Sequence, residues 1–474
     1  MNLSEKLKKI PFLSLISEIA KKKNIKIWLV GGFLRDIYLG IKKIFYDFDF
    51  CVERDVLKVA KVFANKTNSK LIILDEKQLS IRVIFKKIYT YDFTLMRAKD
   101  FYQDLALRDF TINTLAVCLN EKPFFLLDYF NAKKDLDNKI IRVIKQEVFL
   151  DDPLRILRGF SFMANYGFRI EKITQKAMVK YKKFLNEVSG ERLGEELFKI
   201  FNTDYSYKVL KKMDQLKIID EIIPYINKSR NVSQGSYHHL DVWKHSLETL
   251  KEFENLYKKR LSKDEDIYNY LNGDLVQNRK RLQILKLACL VHDIGKPFVK
   301  KKKKKKTIFY EHEKVGRDLA EDIALKLRLS FKEKETLKKL VFWHLRPGYL
   351  ADCYTPSQRA VYRFFRDTEE EGVGVILLSL SDWRATRGPL TDLKRRLKHE
   401  KIMFKLIKNY FEEKKKKPLP KIIDGYDIMR KFGISPSPLV GKILKKVREE
   451  QALGNIKTKS QAYNIAKKII KLFK

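Results

Sequence analysis

A chain of 474 residues exceeds what one hydrophobic core organises and divides into about three domains. Its 45% hydrophobic content is ordinary for a globular protein, whereas 100 Lys+Arg against 59 Asp+Glu, formally +41, creates a field that attracts polyanions, nucleic acid foremost. No stretch approaches the roughly 18 uninterrupted apolar residues of a membrane span, and Cys51, Cys118, Cys289 and Cys353 are too scattered for a disulfide framework or a zinc knuckle, so a reducing cytoplasm is expected.

In chain order, Pro11 to Ala20 is apolar but short, contains Glu18 and precedes Lys21-Lys22-Lys23, which predicts an amphipathic helix and not a signal peptide. Residues 1–150 then alternate strand-like and helix-like patterns, a mixed α/β domain. A strand, Ile25 to Val30, runs into Gly31-Gly32 and a short helix, and a second strand carries Asp47 and Asp49. Two aspartates at i and i+2 of a strand emerge on one side, where they repel unless a hard cation such as Mg²⁺ lies between them. Paired glycines after a strand let backbone N–H groups approach a phosphate. Together they suggest a metal-dependent nucleoside triphosphate site. Leu71 to Leu74, Leu79 to Phe85 and Tyr89 to Met96 are further strands, with Lys86-Lys87 at a hairpin tip and Asp92 a candidate third carboxylate. Within Leu105 to Ala116, Asp109 is placed to cap a following helix, beside the fixed charge of Arg108.

From residue 151 the pattern becomes helical. Asp152 stands at a cap, Pro153 at the first helical position, and Asp152 and Arg155, three apart, share a face. A carboxylate acceptor beside a guanidinium donor matches the amino group and ring acceptors of cytosine or adenine; uracil and guanine present the opposite polarity and would leave buried groups unpaired.

Gly31-Gly32 with Arg35-Asp36, Asp47-x-Asp49, Arg108-Asp-Phe-Thr-Ile-Asn113, Asp128 to Asp135, Asp151-Asp-Pro-Leu-Arg155 and Gly190 to Leu197 fall in the order and spacing of a known family. The chain resembles the class II tRNA nucleotidyltransferases, which with the bacterial poly(A) polymerases belong to the polymerase-β-like superfamily. The resemblance implies that Asp47 and Asp49 ligate catalytic Mg²⁺, with Gly31, Gly32 and Arg35 near the triphosphate. It implies that Arg108, Asp109 and Asn113 hold ribose and phosphates, that Asp128 to Asp135 hinges the head on a helical neck, and that Asp152 with Arg155, followed by Arg158, reads C or A without a template. Glu191 and Arg192 match the motif that brace the neck. Asp151 stands where many members have Glu. In members that build the whole CCA end a longer flexible segment precedes the Arg108 motif; here only Arg97 to Leu107 fills the gap, resembling the CC-adding enzymes, which leave adenosine to a separate A-adding partner. The expected activity is thus CMP transfer from CTP to the tRNA 3′ end. Full CCA addition or A addition from ATP, and poly(A) synthesis, are the alternatives.

Six of the seven histidines follow: His238, His239, His245, His292, His312 and His344. The doublet His292-Asp293 with Gly295-Lys296, the flanking histidines and Asp382 resemble the HD-domain metal phosphohydrolases. The resemblance implies that His245, His292, Asp293 and Asp382 are core metal ligands and that His312 and His344 complete a second site; hydrolysis of RNA or nucleotide phosphates is the alternative function class. Lys300 to Lys306 is predicted to be a solvated loop. Residues 391–474 are basic and helical, with a linker at Lys414 to Pro420; Gly433 and Gly441, placed near helix starts, are candidates to offer N–H groups to tRNA phosphates. The expected fold is α+β: a nucleotidyltransferase head (1–150), an all-α neck (151–225), an HD domain (226–390) and a helical tRNA-binding tail (391–474).

Overall fold

The computed structural model describes residues 7, 10–41, 46–76, 79–235, 238–303, 306–352, 355–417 and 419–472. The chain divides into two compact units, 1–222 and 223–474. Among the described residues no helix is long and apolar enough to cross a membrane.

The first unit is built on a seven-stranded sheet: β1 (Ile27–Val30), β2 (Tyr46–Val52), β3 (Lys70–Asp75), β4 (Ser80–Phe85), β5 (Tyr89–Leu95), β6 (Ala116–Cys118) and β7 (Leu126–Leu127), in the order β3-β4-β5-β2-β1-β6-β7. Only β2 and β5 pair parallel, which sets Asp49 beside Asp92; β1 lies antiparallel to β2 with Val30 opposite Asp49. Alternation explains β2: Phe48 and Phe50 are each 1% exposed against the core, where Phe50 stacks on Phe93, while Asp47 and Asp49 take the other face. The helix Val56–Thr67 covers the apolar face, Phe63 packing on Tyr91 and Phe93. Lys86 and Lys87 both take left-handed backbone at the β4–β5 tip.

Several sequence expectations need correction. No helix is capped by Asp109: a three-residue 3₁₀ turn, Thr111–Asn113, follows it and leads into β6, because Ala116 and Val117 are wanted in the sheet core. Nor does a helix begin at Pro153. A short helix ends at Asp151, Asp152 is extended, and the next helix is Arg155–Tyr166, so Asp152 and Arg155 are not neighbours on one helical face. The region beyond 151 is not purely helical either: Arg169–Ile170 pairs with Ile140–Ile141, and two small hairpins interrupt the second unit. One of them is the lysine run, where Lys301–Lys303, exposed as expected, pair antiparallel with Lys306–Ile308 instead of forming a loop.

In the second unit the helix Arg281–Val291 is buried at every position from Leu282 to Val291, as an apolar helix at the centre of a bundle must be. Val242–Lys259, Phe331–Trp343 and Gly372–Ala385 surround it. At the C-terminal end, Gly425–Phe432, Pro438–Ala452 and Lys459–Lys471 share a core of Ile428, Ile443, Val447, Ala462 and Ala466. Gly433 ends a helix in left-handed conformation and so does not stand at a helix start, whereas Gly441 lies in the first turn of the helix Pro438–Ala452. Cys51, Cys118 and Cys289 are free and buried; Cys353 lies outside the described residues.

Candidate active sites

In the first unit the turn after β1 is cramped. Gly31 has φ +84°, and a Cβ there would lie 3.0 Å from Asp49 Oδ2 and 3.2 Å from Arg108 Nη1, so only glycine lets the backbone, the carboxylate and the guanidinium converge. Burial pushes the Asp49 carboxyl up; Arg108 opposes this, while Asp92 and Asp47 add to it. Asp47 is exposed. Asp92 is already engaged, accepting 2.8 and 2.7 Å hydrogen bonds from Arg82 Nε and Nη2. The buried Nε of Arg108 makes no hydrogen bond among the described residues. Two carboxylates on one strand face, beside a guanidinium with a spare donor, are the donor set that a divalent cation and a phosphate chain require.

These groups open on a cleft of about 370 Å³ lined by Asp49, Arg108, Asp109, Asp152, Arg155 and Arg158, joined by Cys51, Arg97 and Asp104. Asp109 accepts from Phe110 N, Asn113 Nδ2 and Arg158 Nε, each at 2.8 Å. Burial alone would raise its pKa, but the Arg158 charge and these donors outweigh it and hold the carboxyl below the usual range. Arg155 is half-buried, with one long bond to Val148 O (3.4 Å); burial lowers its pKa. Asp152 pairs with Arg192 (2.9 Å) and not with Arg155, although both line the cleft. A second cavity, of about 900 Å³, shares the walls Arg97, Asp152 and Arg155 and adds Ser189 and Arg192.

Arg35 and Asn113, expected near the nucleotide, are bonded to other protein groups. Arg35 is 5% exposed and committed to Asp36 Oδ1 (3.0 Å), Asn113 Oδ1 and Tyr166 OH, its guanidinium 4.6 Å from the Tyr166 ring centroid. It ties the helix Gly32–Tyr38 to the helix Arg155–Tyr166, and Asn113 is held between Arg35 and Asp109. The segment expected to hinge is also well anchored. Asp128 accepts from Ala132 N and Lys133 N, and Asp135 accepts from Thr111 Oγ1 (2.6 Å) and pairs with Arg142, which also bonds Glu171. Glu191 lies in the first turn of the helix Gly190–Phe201.

Sequence reasoning missed Cys51, Arg97 and Asp104. Extending the Asp47, Asp49 alternation by two reaches Cys51, whose thiol is pushed well up by burial and by Asp104, leaving no nucleophilic thiolate. Asp104 is 3% exposed beside Leu105 in the helix Phe101–Ala106 and accepts from Arg97 N at 2.8 Å. A carboxylate beside the apolar face of a short helix was the available signal.

In the second unit the six expected ligands converge. His292 sits at the C-terminal end of the buried helix, with its Nε2 3.3 Å from Asp293 Oδ2. His245 Nε2 lies 2.8 Å from Asp382 Oδ1; His312 and His344 Nε2 lie 3.3 and 3.6 Å from Asp293 Oδ1. The donor atoms form two groups, His245/His292/Asp382 and Asp293/His312/His344, each within 4.8 Å. His292, His312 and His344 each donate from Nδ1 to the carbonyl three residues earlier, of Cys289 (3.1 Å), Phe309 (2.9 Å) and Val341 (2.6 Å). That fixes the tautomer in which Nε2 offers its lone pair inward, and apart from the Asp293 carboxylate 3.3 Å away the buried Nε2 of His292 has no hydrogen-bond partner among the described residues. Such a donor set fits divalent metal. Lys296 Nζ bonds Asp293 Oδ2 (2.6 Å) and Gln234 Oε1 (2.7 Å). His238, packed against His245 but outside the expected ligand set, is driven down to about 3 by burial and the Lys296 charge. His239 is not in either ligand group.

Comparison with known proteins bears on both sites. Residues 27–142 match the poly A polymerase head domain, 167–229 a probable RNA-binding site of polymerase A, and 242–387 the HD domain. An A-adding tRNA nucleotidyltransferase of Deinococcus radiodurans is 26% identical over 92% of this chain and 93% of its own. A CC-adding tRNA nucleotidyltransferase of Thermus thermophilus is also 26% identical, over 91% of each chain. A CCA-adding enzyme solved with CTP superposes with a TM-score of 0.65 at 22% identity, covering 96% of this chain and 94% of that one.

Proposed function

We propose that the chain is a tRNA nucleotidyltransferase, a reading supported by its poly A polymerase head domain and its likeness to the A-adding and CC-adding enzymes, and that it transfers CMP from CTP to the 3′ end of tRNA, adding two cytidines and releasing pyrophosphate. The observation that carries the proposal is the shared cleft, which gathers Asp49, Arg108, Asp109, Asp152, Arg155 and Arg158 from segments spread over more than a hundred residues. Asp47 and Asp49 would hold divalent cations, which when bound activate the 3′-hydroxyl and neutralise the leaving pyrophosphate. Arg108 meets phosphate oxygens with its spare Nε. Arg158, fixed by Asp109, lines the cleft as a second cation. The Asp152 carboxylate, steadied by Arg192, keeps lone pairs for the cytosine amino group, and Arg155 donates to the ring acceptors. Stopping after two cytidines is supported by the short connection between Met96 and Arg108: it folds as the helix Phe101–Ala106, pinned through Asp104 to Arg97, and leaves little length to remodel the pocket for adenine. A solved relative, the Thermotoga maritima CCA-adding enzyme, is complexed with tRNA, consistent with tRNA as the substrate.

The test offers tRNA ending before CCA, after C and after CC, with CTP or ATP singly, and resolves products at one nucleotide. CTP should extend the first two substrates to CC and no further; growth of the CC substrate with ATP overturns the CC assignment in favour of CCA or A addition. Asp152→Ala or Arg155→Ala should reduce the preference for CTP over UTP by about 10–100-fold, the cost of leaving a buried partner unpaired.

The six-ligand cluster favours a second reading for residues 242–387, hydrolysis of a phosphate ester by metal-activated water. Its check is phosphate release that survives Asp47→Ala/Asp49→Ala and is lost in His292→Ala.

A further inference from the structure

The lysine run folds as an ordered ribbon, Lys301–Lys303 against Lys306–Ile308, and neither candidate site uses it. Lys301, Lys302 and Lys303 are all exposed, and among the described residues none has a carboxylate partner. Other exposed lysines of the same unit are neutralised: Lys314 by Glu311, Lys415 by Asp266 and Lys416 by Glu413. Strand alternation puts Lys301 and Lys303 on one face, roughly 7 Å apart, and Lys302 on the other. Two aromatic side chains flank the root of the ribbon. Phe298, 41% exposed and shortly before the first strand, has Lys228 Nζ 4.9 Å from its ring centroid and meets Tyr225 edge to face at 5.9 Å. Tyr310, 71% exposed, follows the second strand. Lys228 is itself exposed and has no carboxylate partner among the described residues.

We propose that this ribbon is an arm for single-stranded RNA: Lys301, Lys302, Lys303 and Lys228 meet backbone phosphates, and Phe298 and Tyr310 stack unpaired bases. Cations alone would suit any polyanion, an acidic protein included. Exposed rings beside them favour a single-stranded nucleic acid, because every base presents a π-face. A duplex keeps its bases in its own stack and leaves both rings without partners. Lysine ammoniums act on phosphate as point charges and read no sequence, so the arm adds affinity without base preference. It belongs to the unit 223–474, not to the unit that holds the Asp49 cleft, and is therefore a second contact with RNA. The choice of RNA rests on the tRNA-directed reading above; the choice of a single strand does not.

The test is lysine acetylation of the full chain, read by mass spectrometry, with a single-stranded RNA of about 16 nucleotides or with polyglutamate of equal charge. RNA should shield Lys301, Lys302 and Lys303 several-fold, and polyglutamate markedly less. No shielding overturns the proposal, and equal shielding by polyglutamate overturns RNA in favour of an acidic protein. Shielding by RNA in a chain that incorporates no CTP supports the arm and sinks only the transfer reading. The second measurement is the salt dependence of RNA binding. Lys301→Gln/Lys302→Gln/Lys303→Gln should make the slope of log affinity against log salt shallower by about 2, at about 0.7 for each lost phosphate contact. The same charge change at Lys22, Lys61 and Lys66, exposed in the head, should leave the slope within one contact of wild type. Equal shifts in the two variants reduce the ribbon to bulk charge and overturn the proposal. Tyr310→Ala should weaken binding by about fivefold or more, the low end of one base stack, with Tyr310→Phe close to wild type. Unchanged binding in Tyr310→Ala overturns the single-strand assignment.

Discussion

The two candidate metal sites solve one problem in opposite ways. In the head, Asp47 and Asp49 project from a strand, one exposed and the other at the wall of an open cleft. In the HD region, four imidazoles and two carboxylates are drawn together around a buried helix end, three of the rings locked in one tautomer by their own backbone. Two carboxylates leave most of a cation's coordination to phosphate and water, so the head site is completed by its substrate. Six convergent donors need no substrate, so the HD site is complete before anything else arrives. On this arrangement the head would couple metal to nucleotide, whereas the HD cluster would hold metal without one.

The sharpest way to break the contrast is Asp49→Ala. With half of the carboxylate pair gone, labelled CTP incorporation should fall by about 10³-fold or more, because the cation stabilises charge formed only in the transition state, while tRNA binding stays within a few-fold. Retained incorporation would remove Asp49 from the chemistry. Next in size is metal content after exhaustive dialysis without nucleotide. Wild type and Asp49→Ala should retain divalent metal equally, while His292→Ala should lose affinity by more than the about 10–100-fold that loss of an outer partner costs. Equal metal in wild type and His292→Ala would end the distinction.

The smallest effect lies away from both sites. Glu449 gathers Arg359, Arg363, Arg366 and Lys446, and the hydrogen bond from Arg363, against a burial penalty and with help from Lys446, lowers its pKa from 4.5 to about 2. The folded carboxyl binds protons less readily than the unfolded one. Its stabilisation is therefore fully present above about pH 4.5 and is lost as pH falls towards 2. Glu449→Gln should lower the thermal midpoint by about 2–4 °C at pH 7, and the gap from wild type should close near pH 2. A gap that is constant with pH would show that packing, and not charge, is what Glu449 supplies.

How much of this was legible in the sequence depended on how local each cause was. Asp47 and Asp49 were readable because strand alternation needs only the one residue, Phe48, between them, and the HD ligands because the doublet and its flanking histidines carry a recognisable order. What failed needed knowledge of distant partners. Arg35 reads as a phosphate ligand beside Gly31-Gly32, yet Tyr166 and Asn113, far along the chain, capture it. Asp152 and Arg155 reach one cleft without the shared helix that their spacing suggested, because the chain breaks at Asp152 before the helix starts. Asp104 escaped notice because a buried carboxylate is explained by what it holds, here the backbone of Arg97.

The lysine hairpin has a consequence of its own. Lys301, Lys302 and Lys303 lie exposed in succession on one short strand, so the ribbon forms against repulsion among like charges. Those charges lie within a Debye length of one another, about 8 Å at physiological ionic strength, so the ribbon behaves as a small polyelectrolyte. Its order should tighten as salt rises, the reverse of what surface ion pairs elsewhere in the molecule would do.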